Sequence, residues 1–160
     1  MSDTFTIRPA TPADADAFVS LVNGLADFEK LTPPDEEAKR RLIEDGLGPN
    51  HRLDVLIAEV AGEAAGYAVI FESYSTFLAR PKLFLEDLFV HPDHRGSGIG
   101  EALIRACARE ALSRGCTRME WVVLDWNARA INFYKRLGAE HASEWLNYCL
   151  DTEQLTRLAQ

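Results

Sequence analysis

Apolar positions recur in two rhythms along the chain. Phe18, Leu21, Val22, Leu25 and Phe28 keep the three-and-four spacing that lines one face of a helix. The same rhythm runs from Ile99 to Arg114 through Leu103, Ile104, Cys107, Ala108, Ala111 and Leu112, and from Asn127 to Leu137 through Ala130, Phe133 and Leu137. Runs rich in β-branched and aromatic residues at 5–8, 53–60, 64–74, 82–90, 118–124 and 145–150 read as strands. Thr11-Pro12 reads as a helix start, and Thr32-Pro33-Pro34 as a break. Residues 35–45 read as a short charged helix stopped by Gly46. Ala61-Gly62-Glu63 reads as a hairpin turn, and Gly138 as the residue closing the 127–137 helix. A weak terminal helix follows the last strand. The order β-α-α-β-β-β-α-β-α-β predicts an α/β fold with a mixed sheet.

Composition narrows the class. The chain has 160 residues, 47% of them hydrophobic, which is the mixture of an ordinary globular protein and not of a disordered one. One domain over residues 1–160 is expected, since no linker or repeat interrupts the pattern. The 25 acids against 17 basic residues leave a net charge of −8. That balance predicts no nucleic-acid partner, because phosphate contacts need clustered cations. It suits a cationic substrate, and equally it suits mere solubility. No apolar run approaches the ~18–20 residues of a membrane span, and Met1 to Arg8 shows no signal-peptide pattern. Cys107, Cys116 and Cys149 form no C-x-x-C pair, and His91 and His94 lack a third ligand. A cytoplasmic protein without metal or membrane partner is the expectation.

The chemistry begins at Arg95-Gly96-Ser97-Gly98-Ile99-Gly100, a glycine-rich turn between an apolar strand and an amphipathic helix. The first amides of such a helix lack intrahelical acceptors, and with the helix dipole they suit a diphosphate. No Gly-Lys-Ser/Thr follows, so this is not a Walker loop. No first βαβ unit precedes it, so it is not a dinucleotide fingerprint either. A second signal lies in the preceding strand, apolar on both faces yet carrying Glu86 and Asp87 at its middle. A buried carboxylate is costly without a partner. Adjacent strand residues face opposite ways, so both acids can share a face only if the strand bulges.

These residues resemble the GNAT superfamily of acyl-CoA-dependent N-acetyltransferases. Arg95 to Gly100 matches its R/Q-x-x-G-x-G/A pattern. Leu85-Glu86-Asp87-Leu88-Phe89-Val90, Trp126-Asn127 and Ile131-Asn132-Phe133-Tyr134-Lys135-Arg136 are similar to the spermidine/spermine (diamine) and thialysine acetyltransferase subgroup. Ile7-Arg8-Pro9-Ala10-Thr11 and Leu25-Ala26-Asp27-Phe28-Glu29 resemble its N-terminal part.

The resemblance implies a mostly antiparallel sheet splayed at the acyl-CoA site and flanked by helices, acetyl-CoA as co-substrate, and a homodimer. It implies that main-chain groups of Leu88, Phe89 and Val90, the loop Arg95, Gly96, Ser97, Gly98, Ile99 and Gly100, and the segment Asn127, Ala128, Arg129 and Ala130 hold the cofactor. Glu86 is implied as the acid that takes the amine's proton, directly or through water. An alkylamine with a pKa near 10.4 is protonated at pH 7 and must lose that proton before it can attack. Tyr134 is implied beside the cofactor sulfur as the acid for the departing thiolate. Phe28, Glu29, Glu86, Asp87, Glu144 and Trp145 are implied contacts of a polyamine, diamine or thialysine-like substrate. Phe28 stands where the family usually has tyrosine, and the connection from Gly138 to Glu144 is shorter here. Two other readings stay open at this point. One is an acetyltransferase acting on protein N-termini or lysines; the other is a non-catalytic CoA-binding module.

Overall fold

The computed structural model describes residues 4–160. The expectation that no signal segment opens the chain concerns in part residues 1–3, which lie outside the described residues. The elements run β1 (Phe5–Pro9), a short 3-10 turn (Pro12–Asp14), α1 (Ala15–Glu29), α2 (Glu36–Leu47), β2 (Asp54–Val60), β3 (Glu63–Ser75), β4 (Arg80–Val90), a second 3-10 turn (Pro92–His94), α3 (Ile99–Ser113), β5 (Met119–Glu120), α4 (Ala128–Arg136) and α5 (Thr152–Leu158). The sheet has the order β1-β2-β3-β4-β5, antiparallel throughout except for the parallel β4–β5 pair. This is the mixed, mostly antiparallel α/β sheet with flanking helices that was expected. Among the described residues, β4–β5 pairing stops at Phe84 and Glu120, so the later half of β4 leaves β5 behind.

Ala61 and Gly62 both adopt positive φ (50° and 86°) and form the two-residue turn between β2 and β3. Positive φ at both central positions matches the twist of a hairpin. One face of the sheet presents Val55, Ile57, Tyr67, Val69 and Phe89 to Phe18 and Leu21 of α1 and Leu47 of α2. The opposite register positions, Ala68, Ile70, Leu83 and Leu85, are also buried, and α3 lies against β3 and β4 with Ile99, Leu103, Ile104, Cys107 and Ala111. Gly24 brings α1 close to β4, because a Cβ there would come within 3.0 Å of Phe89 Cζ. That approach fixes where the end of α1, with Phe28 and Glu29, is held.

Four expectations need correction. Residues 118–124 form only the two-residue β5, and 145–150 form no strand. Gly46 does not stop α2, which continues to Leu47. A Cβ at Gly46 would press on Val55 Cγ2 at 3.2 Å and Phe18 Cε1 at 3.3 Å, so this glycine serves packing. Leu112 lies 77% exposed, off the buried stripe of α3.

The chain divides into two compact units, one ending at Val122 and the other spanning Val123–Gln160. The second contains α4 and α5. Asn127 caps α4 by accepting from Ala130 N at 3.2 Å, and Gly138 closes it at φ 86°. Among the described residues of this unit no side chain is buried, and Trp145, Leu146 and Tyr148 are largely exposed. No helix among the described residues is long and apolar enough to cross a membrane.

Candidate active site

The register of β3 against β4 shifts between Val69, which faces Asp87, and Ile70, which faces Leu85. Glu86 is therefore the extra residue of a β-bulge. Without it, Asp87 would point with Leu83 and Leu85 toward the α3 face. The bulge turns Asp87 onto the face of Tyr67, Val69 and Phe89, under α1. Glu86 stays exposed while Asp87 is half-buried. Sequence parity named a bulge as the condition for the two acids to share a face; the bulge is present, and Asp87 is the acid it turns under α1.

Asp87 Oδ2 accepts a hydrogen bond from the Tyr67 hydroxyl at 3.0 Å. Burial pushes the Asp87 carboxyl up to about 6; the Tyr67 bond opposes that rise, and the charges of Glu86 and Glu29 add to it. Burial also raises Glu29. Among the described residues no cation pairs with Asp87. Three acids thus gather at the end of α1 and the middle of β4, and no cation is among the groups that act on Asp87. Such a constellation suits an incoming ammonium group, which would relieve the repulsion and lower the carboxyl pKa. Tyr67 is the participant the sequence reading missed. Its signal was a tyrosine inside the apolar run Ala65–Ile70, whose hydroxyl needs a partner if buried.

Below the acids, β4 leads into the glycine-rich turn. Arg95 donates from Nε to the Val90 carbonyl at 2.9 Å, and its guanidinium lies over the rings of Phe28 (5.1 Å) and Phe89 (5.5 Å). The arginine thus ties the loop to the end of α1. Ser97 Oγ donates to the His94 carbonyl. Gly96 and Gly98 take φ of 82° and 89°, Gly98 as the N-cap of α3, and a Cβ on either would meet no protein atom within 4 Å. The first α3 amides have no acceptor inside the helix by its geometry. An open, Cβ-free cradle of main-chain donors fits a diphosphate. Gly66 lets β3 approach β4 here, since a Cβ would fall 2.7 Å from the Phe89 carbonyl. The Phe89 side chain is core, so that residue offers a ligand only its main chain; Leu88 and Val90 are half-buried.

In the second unit, Tyr134 is half-buried on α4 with its ring 5.4 Å from that of Phe133. Asn127 and Ala130 are half-buried, Ala128 and Arg129 exposed, and Glu144 and Trp145 exposed on a segment without regular structure. Among the described residues no group of three His, Cys, Asp or Glu side chains could hold a metal. Cys107 is wholly buried, and burial pushes its thiol up to about 12, far from a reactive thiolate.

Residues 20–139 match the model of the Acetyltransferase (GNAT) family. The chain is 37% identical to the thialysine N-epsilon-acetyltransferase of Mus musculus, over 96% of each chain. It is 30% identical to an L-ornithine N5-acetyltransferase of Arabidopsis thaliana, over 87% of this chain and 81% of that one. Among solved structures it is similar to AAC(6')-Iy in complex with a CoA bisubstrate analog, with a TM-score of 0.75 at 24% identity, covering 92% of this chain and 99% of the other.

Proposed function

The chain belongs to the GNAT acetyltransferase family, and from that premise we propose that it moves an acetyl group from acetyl-CoA to a primary amine of a small cationic molecule, both reactants being held in one complex. The observation that carries the reading is the Asp87 site: a bulge-turned carboxyl beside two further acids, with no cation of its own among the described residues. The mouse and Arabidopsis relatives, named for thialysine and ornithine, favour a side-chain amine of a small amino acid or a diamine over a protein acceptor. The single 1–160 acetyltransferase domain belongs to the same reading.

Acetyl-CoA supplies the activated acyl group. The main-chain donors of Gly96, Ser97, Gly98, Ile99 and Gly100 would hold its diphosphate, with Leu88–Val90 main-chain groups and Asn127–Ala130 along its arm. Asp87 and Glu29 hold the substrate ammonium and align its nitrogen, which accounts for much of the rate gain in such a transfer. At neutral pH an Asp87 carboxyl with a pKa about 6 is mostly ionised, so it can bind the cation and accept its proton. Exposed Glu86 can pass that proton to water. The Tyr134 phenol is the donor for the leaving thiolate, as an ordinary phenol keeps its proton at neutral pH; this role follows from its place in the Asn-Phe-Tyr-Lys-Arg segment. A homodimer in the cytoplasm completes the proposal. Exposed Trp145, Leu146 and Tyr148 support the dimer as apolar surface a second copy could cover, and sedimentation at micromolar concentration tests it.

The experiment is a CoA-release screen with acetyl-CoA over putrescine, spermidine, thialysine, ornithine, lysine, aminoglycosides and peptide N-termini. Release with a small diamine or ω-amino acid is expected. Release with peptides alone, or none with any amine despite CoA binding, overturns the reading.

A further inference from the structure

We propose that Tyr67 is a positioning residue for amine acetylation: its buried hydroxyl holds Oδ2 of Asp87 and so leaves the other carboxylate oxygen to meet the substrate. The inference rests on the reading of Asp87 as the ammonium-binding acid. Tyr67 is wholly buried at the centre of the sheet. Its ring stands edge-on to Phe18 at 5.5 Å and tilted against Phe89 at 6.4 Å, so it has no room to swing. Phenylalanine would fill the same apolar space; the hydroxyl is the part that packing does not require. In the register Tyr67 faces Phe89, and Asp87 is the diagonal neighbour on the same face, within reach of a long side chain. The bulge at Glu86 is what puts Asp87 there, so bulge and tyrosine act together to aim one carboxyl.

The charged surroundings give that bond its consequence. Glu29 approaches from α1 and Glu86 adjoins on β4, while the Arg95 guanidinium is held over Phe28 and Phe89. In this acidic setting the carboxylate form is disfavoured, and the hydroxyl bond partly restores it. A buried phenol next to acids does not itself ionise in the working range, because burial raises it and Asp87 raises it further. Tyr67 therefore acts as a fixed donor and not as a proton carrier.

The test is Tyr67→Phe, read by the pH profile of kcat/KM for an accepted amine at saturating acetyl-CoA, and by 13C NMR titration of the Asp87 carboxyl. The acid limb and the Asp87 midpoint should both move up by roughly 0.5–1 pH unit. Activity at pH 6 should fall several-fold more than at pH 8, with CoA affinity within about twofold of wild type. A limb that superimposes on wild type, or a loss equal at every pH, overturns the inference, since a structural role alone would give the latter. Should the variant fold poorly, the wild-type protein still decides. The Asp87 carboxyl and the Tyr67 ring Cζ resonances must then share one midpoint, and separate midpoints overturn the link. Absent turnover with every amine, beside a midpoint still moved by Tyr67→Phe, sinks the underlying reading. An unmoved midpoint in an active enzyme sinks this inference alone.

Discussion

Two aspartates beneath the same sheet face opposite fates. Asp14, at the start of α1, receives two hydrogen bonds of 2.8 Å from Arg8 and one of 2.7 Å from Thr11 N, and Arg8 also reaches Glu59 at 2.8 Å. The Arg8 bond holds the Asp14 carboxyl well below the usual carboxylate range. Asp87, at the bulge of β4, has a tyrosine hydroxyl and two neighbouring acids, and its carboxyl rises to about 6. The first site is complete: its cation comes from the chain, and it ties β1, β2 and α1 together. The second lacks its cation, and a substrate amine can supply it. A folded protein keeps an uncompensated acid cluster at a stability cost, which is why perturbed carboxyls gather at functional sites.

The largest effect that can break this contrast is on turnover. Asp87→Asn should lower kcat/KM for the amine by roughly 100-fold or more, the scale of general-base and charge-pair loss. Asp14→Asn should leave kcat/KM of the folded protein within about twofold. Steady-state kinetics on both, with the folded fraction checked by circular dichroism, reads the difference. Comparable losses in the two variants would erase the distinction.

Stability should respond in the opposite sense. Asp14→Asn breaks the part-buried ion pair with Arg8 and should cost about 1–3 kcal/mol at pH 7. Asp14 has a depressed folded pKa, so its contribution is present above pH ~4 and fades as pH falls through the folded value. The gap between wild type and Asp14→Asn should therefore narrow in acid. Asp87 has a raised folded pKa, so wild type loses stability as pH climbs from about 4 to 6. Asp87→Asn removes that loss and should be more stable than wild type by about 1–3 kcal/mol at pH 7, with the gain vanishing below pH ~4. Urea melts at pH 3.5, 5 and 7 give both trends; a gain for Asp87→Asn that persists at pH 3.5 would contradict the cause assigned.

Helix starts, caps and turns could be read from residues alone, and so could part of the second site; the Arg8–Asp14–Glu59 site could not, because Arg8 and Glu59 lie 51 residues apart in the chain. Thr11-Pro12 marked the start of the first helical region, and Ala61-Gly62 the hairpin, because local turn chemistry decides both. Asn127 and Gly138 were legible for the same reason, since caps are local. Glu101 and Arg105, four apart on α3, pair at 2.7 Å, a contact that helix spacing alone allows. The candidate site was legible only in its parts. The residues Glu86 and Asp87 stood out, but which one is turned under α1 depends on a register shift against β3, a property of two strands and not of one. Tyr67 escaped notice because its role comes from a diagonal across that shifted ladder. Gly46 misled because helix-stopping and close-packing glycines look alike without the neighbour that presses on them. Residues 145–150 are apolar apart from Asn147 and carry two aromatics, yet no strand forms there, since a strand needs a partner edge as well as a favourable composition.

The smallest effect sharpens the picture from the other side. Glu29→Gln removes one of the charges that raise Asp87, so the acid limb of the rate profile should move down by a few tenths of a pH unit, opposite in sign to Tyr67→Phe. A shift upward would mean that Glu29 does not act on Asp87 through its charge.

The most direct check is the titration of the Asp87 carboxyl carbon by NMR with and without a saturating small amine that the protein acetylates. Without amine the midpoint should lie near 6, and with amine it should drop by at least one pH unit as the ammonium takes the place that Arg8 fills beside Asp14. A midpoint that stays put while the amine is bound would show that Asp87 does not receive the cation.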